Sequence, residues 1–109
     1  MTDNPKDIVG RNKPGLSKLP IRPIFEAGNV LRHGSDKYGP YNWREHAVSA
    51  AVYYDAALRH LCAWWEGEDL DPDSGEHHLA HVIGGMAVLR DAMLSGKLKD
   101  DRPPKVEPK

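Results

Sequence analysis

The stretch AVYYDAALRHLCAWWEG, residues 51–67, decides the fold class. Ala51, Tyr54, Leu58, Leu61 and Trp65 recur at intervals of three, four, three and four, which lines them along one side of a helix and along neither face of a strand. Gly67 stands where a helix C-terminus favours glycine. Upstream, GPYNW (39–43) reads as a turn, with Asn42 and Glu45 spaced for a capping box, so this helix is predicted from Arg44 or His46 to Glu66. A preceding helix is predicted from Ile24 to Tyr38, with Ile24, Ala27, Leu31 and Tyr38 on its inner stripe and Gly39-Pro40 ending it. A third runs from about Ser74 to just before Gly96, with Leu79, Ile83, Met86 and Met93 inward, packed antiparallel to the second. Gly84-Gly85 is expected to let a neighbouring helix come close. No segment alternates apolar and polar residues, so the fold class is all-α: a small bundle of about three main helices.

Around this core lie two proline-rich segments. Residues 1–23 carry four prolines and no helical period, which predicts an extended arm that orders on docking; residues 97–109 form an extended tail. The 109 residues make one domain, with its helical core at 24–96. A net charge of -1 leaves no basic field to gather nucleic acid. No apolar run approaches the length of a membrane span, and one cysteine excludes an internal disulfide framework. A cytoplasmic protein without membrane or nucleic-acid partners is therefore expected. Cys62, between Leu61 and Ala63, reads as a buried inert thiol. Trp64 and Trp65 cannot both face one core, and three helices of this kind cover each other incompletely, so a homo-oligomer is predicted.

Two polar rows stand beside the apolar stripes. Asp55, Arg59, Cys62 and Glu66 share a face of the second helix; His78 and His81 share a face of the third, with Gly85 continuing it. His77 lies about 100° from His78 on a helix, and is expected outside any site. The first-turn histidines stay neutral against the helix dipole, able to ligate a divalent metal or to donate to phosphate. His78-x-x-His81 has ligand spacing but needs a third ligand, from Glu66, Asp69 or another chain; packing histidines are the plainer account. Asp55 with Arg59 is equally consistent with a surface ion pair. The acidic stretch before the histidines lacks the calcium-loop spacing, and Walker, GxGxxG, GxSxG and CxxC motifs are absent.

NPKD (4–7), GRNKP (10–14), GSDKYGPYNWRE (34–45), YYDAALRHLCAWWEGED (53–69), HHLAH (77–81) and GKLKDDRPP (96–104) together resemble the phage family described as the dATP/dGTP diphosphohydrolase N-terminal domain. That family is similar in turn to MazG-like all-α nucleotide pyrophosphohydrolases, which hold magnesium with EExxE and ExxD carboxylates. The resemblance implies a purine nucleotide ligand, a divalent cofactor (Mg or Mn) and the cytoplasm of an infected bacterial host. His78 and His81 stand where the ExxD acids would be, and Asp55 and Arg59 near the ends of EExxE, so most of the expected carboxylates are missing.

Two functions follow from the resemblance. One is a dATP/dGTP pyrophosphohydrolase, with Asp55, Glu66, His78 and His81 catalytic, and Asp55, Glu66, Asp69, His78 and His81 sharing the metal. Lys6, Lys13, Lys37 and Arg59 would neutralise the polyphosphate, the lysines of the arm reaching the ligand. The other is a non-catalytic sponge that sequesters a host nucleotide immune signal, an anti-defence protein. There Arg59, His60, His78 and His81 bind phosphate while Tyr38, Tyr41, Trp43 or Trp64 stacks on the base.

Overall fold

A computed structural model describes residues 3–108. Its elements are α1 (Pro5–Gly10), a 3₁₀ turn (Leu16–Lys18), α2 (Ile21–Tyr38), α3 (Asn42–Glu45), β1 (Val48–Ser49), α4 (Ala50–Trp65), α5 (His78–Leu94) and β2 (Leu98–Lys99). The fold is all-α apart from the two short strands. α5 lies between α4 and α2 and packs on both.

The helix boundaries differ from expectation for local reasons. Asn42–Glu45 closes a single turn of its own, entered through Tyr41 in the left-handed region (φ 55) without a side-chain cap, so the Asn42/Glu45 capping box does not form. The chain then extends, and Val48–Ser49 pairs in parallel with Leu98–Lys99. α4 therefore starts at Ala50, capped by Ser49 Oγ on the Val52 N–H. Asp101 accepts from the Ala51 N–H at 2.8 Å and from the Ser49 hydroxyl, setting a negative charge at the positive end of α4. α5 begins at His78 rather than Ser74, with the ring Nδ1 of His77 accepting from the Leu79 N–H at 3.1 Å. The arm is not wholly extended: Asn4 caps α1. Every described residue up to Arg22 is nevertheless exposed.

The core is thin. Ala27, Val48, Ala50, Ala80, Val88 and Ala92 are buried, and no large side chain among the described residues is fully so. The stripe expected to face inward on α4 faces out: Ala51, Tyr54, Leu58, Leu61 and Trp65 are all exposed, Trp65 at 78%. Tyr53, Ala56, Ala57, His60 and Ala63 turn inward instead. Met86, Met93 and Tyr38 are likewise exposed, as is Cys62. α4 is apolar on two sides, and its smaller side chains pack against α5 because they let the backbones approach. Gly84 is buried against α2, where a Cβ would sit 3.5 Å from the Ala27 carbonyl oxygen and from Val30 Cγ1. That is ordinary contact, so the close approach does not require glycine.

The total surface is 8912 Å², against roughly 6,100 Å² for a compact monomer of this mass. The radius of gyration, 17.9 Å, likewise exceeds the roughly 13 Å of a compact chain. The arm up to Arg22 and the tail from Lys99, exposed throughout among the described residues, contribute to this excess.

Candidate functional site

The loop between α4 and α5 builds the site. An antiparallel bridge joins Leu70 to His77, and the Asp71 N–H donates to the Glu76 carbonyl at 2.8 Å. Within this loop DPDSG (71–75) folds back on itself: Asp71 Oδ1 accepts from the Asp73 N–H at 3.1 Å, and Gly75 adopts φ 75 with its N–H on the Asp71 carbonyl. The turn fixes the Asp71 carboxylate over the first turn of α5. There Asp71 Oδ2 lies 3.2 Å from His81 Nε2, and the Ser74 hydroxyl touches both, 2.7 Å from the imidazole and 3.3 Å from the carboxylate.

α4 adds His60, whose ring stacks on that of His81 with centroids 4.3 Å apart and planes 7° from parallel. His60 Nδ1 also lies 2.9 Å from Nδ1 of His78, and His78 Nε2 lies 2.7 Å from Glu68 Oε1. His78 is buried at 4% exposure. A carboxylate only accepts, so His78 Nε2 carries a proton, and as the Nε2–H tautomer the ring offers Nδ1 as an acceptor. His60 must then donate from its own Nδ1, which leaves the Nε2 lone pair free. One nitrogen or oxygen from each of His60, Asp71 and His81 falls within 4.8 Å of the others.

Burial lowers the His60 pKa, and the neighbouring His81 lowers it further, overriding the Asp71 carboxylate. Burial likewise lowers the pKa of His81 against the opposing charge of Asp71. Burial pushes Asp71 the other way, but the Asp73 N–H, His81 and Ser74 outweigh it and the carboxyl is held below its usual range. Near neutral pH the cluster is thus one anion and two neutral bases.

His60 and His81 open into a cleft of about 650 Å³ between α2, α4 and α5. Lys37 and Tyr38 line it from α2, Tyr53 and Arg59 from α4, and Asn42 and Trp43 from α3. Trp43 is held there by Asp91 of α5, which accepts from the indole Nε1 at 2.7 Å and from Arg44 through both carboxylate oxygens at 2.8 and 2.9 Å. The cleft presents two cations, three aromatic rings and the His60 and His81 imidazoles, a combination suited to a planar base carrying phosphates.

Of the residues singled out from sequence, Lys37, Tyr38, Trp43, Arg59, His60 and His81 line this cleft. His78 stands behind His60, and His77 is the cap of α5. Asp55, Glu66 and Asp69 are exposed and outside the His60–Asp71–His81 cluster; Asp69 meets it only through its carbonyl, which accepts from the His78 N–H. Trp64 borders an outer hollow beside Cys62 and Trp65, and Lys6 and Lys13 border one formed by the arm itself. Asp71, Ser74, Glu68 and Tyr53 were not anticipated. The Asp-x-Asp-Ser-Gly spelling of the loop is the signal that could have pointed to Asp71, since an Asx turn aims its carboxylate.

A family model described as dATP/dGTP diphosphohydrolase, N-terminal, matches residues 3–102. A protein of Salmonella phage PMBT28 named dATP/dGTP diphosphohydrolase is 30% identical over 92 residues, which cover 84% of this chain and 31% of that protein. The chain thus spans about a third of the length of this relative. No solved structure matches.

Proposed function

The chain belongs to the dATP/dGTP diphosphohydrolase N-terminal family, and on that premise we propose that its cleft binds a purine deoxynucleoside triphosphate and cleaves it between the α- and β-phosphates. Water adds its oxygen to the α-phosphorus, the bridging oxygen leaves with pyrophosphate, and the monophosphate remains. The observation that carries this reading is the meeting, in one cleft, of Lys37 and Arg59 with the half-buried His60 and His81. The cations offset the phosphate charges, Tyr38, Tyr53 or Trp43 stacks on the base, and the His60–Asp71–His81 cluster activates the attacking water for loss of its proton to solvent.

The magnesium that the family resemblance suggests does not fit this cluster. Magnesium prefers an all-oxygen octahedron, and here two of the three converging donors are imidazoles. No step of the reaction is therefore assigned to it.

Incubating the chain with dATP and with dGTP, then separating the products, tests the reading. Equimolar monophosphate and pyrophosphate over many turnovers is the expected result, and an intact, unbound nucleotide rejects it. Stoichiometric capture without products supports the second reading, a nucleotide sponge. The sponge is favoured by one observation: among the described residues, none of those lining the cleft is a carboxylate.

The outward apolar face of α4 belongs to the same reading. We infer that a second copy of the chain covers Tyr54, Leu58, Leu61 and Trp65, because these four large apolar side chains form one exposed face along α4.

A further inference from the structure

Three Lewis-basic side chains from separate pieces of chain converge where His60 and His81 border the cleft: His60 from α4, Asp71 from the loop, His81 from α5. Each is already oriented by a partner of its own. The Glu68–His78 pair leaves His60 with Nδ1 engaged and Nε2 free, and the Ser74 hydroxyl ties Asp71 Oδ2 to His81 Nε2. Metal-ligating histidines give their other ring N–H to an outer acceptor that fixes the tautomer, and here His78, itself held by Glu68, is placed as that acceptor for His60.

We propose that His60, Asp71 and His81 form a zinc-type transition-metal centre with His78 as its positioning residue. Two nitrogens and one oxygen suit Zn²⁺ or Co²⁺ and leave a fourth position open toward the cleft, as sites that meet a substrate require. The donor atoms lie within 4.8 Å of one another, while tetrahedral ligands at zinc distances stand roughly 3.3 Å apart. A contraction of at most about 1.5 Å closes that gap, a movement of half-buried side chains on two helices and a turn. The proposal rests on the nucleotide reading for what the ion is for, namely to polarise water or a phosphate oxygen. It does not rest on that reading for the ion's presence.

The experiment is titration of the untagged, chelator-treated full chain with Co²⁺ alone, followed by visible absorption. One equivalent per chain is expected, with the ligand-field bands of four- or five-coordinate cobalt, displaced by Zn²⁺ and unaffected by excess Mg²⁺. His60→Gln, Asp71→Asn and His81→Gln each lose that equivalent with helicity retained by circular dichroism. His78→Gln keeps the equivalent, weakens it by about 10–100-fold and shifts the bands, which a purely structural role would not do. No tight equivalent in the wild-type chain overturns the proposal. So does a sulfur-to-cobalt charge-transfer band from Cys62, or undiminished binding in the three ligand variants. Should a variant unfold, the wild-type band type and the Mg²⁺ competition still decide. Cobalt bound by a chain that ignores dATP and dGTP removes the nucleotide reading and keeps the centre; nucleotide handled without cobalt uptake does the reverse.

Discussion

His60 and His78 face each other through like atoms, Nδ1 to Nδ1 at 2.9 Å. Only one of the two nitrogens can carry the shared proton, and Glu68 on the far side of His78 decides which. Replacing His78 by alanine removes the acceptor of His60 and leaves a buried polar group unpaired. A destabilisation of about 1–3 kcal/mol is expected, together with loss of nucleotide binding. Glu68→Gln keeps an oxygen acceptor in place and should have a milder effect on both. Chemical denaturation and a nucleotide-binding isotherm on the same two variants check this; equal effects would remove Glu68 from the relay.

His77 sits beside these residues in sequence and performs a different task. Its Nδ1 accepts from the Leu79 N–H and caps α5. His77→Ala is expected to lower stability by about 1 kcal/mol, as lost caps do, with nucleotide affinity unchanged. His77→Asn, which restores a capping oxygen, should recover the stability. Thermal melts of the pair, with affinity measured alongside, separate a cap from a ligand.

Gly84 packs against Ala27, Val30 and Leu31 at distances where a methyl group makes contact without overlap. Gly84→Ala therefore gains helix propensity and a little buried surface. A stabilisation of up to about 1 kcal/mol is expected. A lower melting temperature would mean that α2 and α5 approach more closely than this packing allows.

Asp91 ties α3 to α5, and through Trp43 it shapes one wall of the cleft. The hydrogen bonds from Arg44 and Trp43 hold its pKa down to about 2, below the ordinary 3.8. A carboxyl with a lowered folded-state pKa contributes stability above its unfolded value and loses it as pH falls toward the folded one. The stability difference between the wild-type chain and Asp91→Asn should thus be full above about pH 4 and shrink toward pH 2. Melting curves across that range test the sign; a difference that grows on acidification would contradict it.

The helical class and the end of α2 at Gly39 are legible in the sequence because they depend on local chemistry, whereas Lys37, Tyr38 and Trp43 are reached only through the family resemblance. The inward face of α4 is not. Its residues Ala56, Ala57 and Ala63 carry little hydrophobic signal, while Tyr54, Leu58, Leu61 and Trp65 carry a strong one and face outward. Periodicity ranks faces by apolar bulk, whereas close helix packing selects small side chains. Asp71 was hidden for another reason: its position depends on the Leu70–His77 bridge and the Asp71–Gly75 turn, which no helical spacing encodes. Asp101, fifty residues from the helix that it caps, has no local signature at all.

The misassigned stripe leads to the last prediction. Leu58, Leu61 and Trp65 lie on one exposed face of α4, with Tyr54 a turn earlier. Leaving them in water is unfavourable by roughly 25 cal/mol for each Å² of apolar surface, and a stable dimer needs roughly 800 Å² per partner. Sedimentation or light scattering at about tens of micromolar should therefore report a dimer or a larger assembly. Leu58→Glu combined with Trp65→Glu should shift it to monomer, since burying two carboxylates against a second copy costs several kcal/mol. His60 and Ala57 face the opposite side of α4, so the paired substitution spares the cleft directly. A wild-type chain that is monomeric at those concentrations rules out the second copy as the partner of this face.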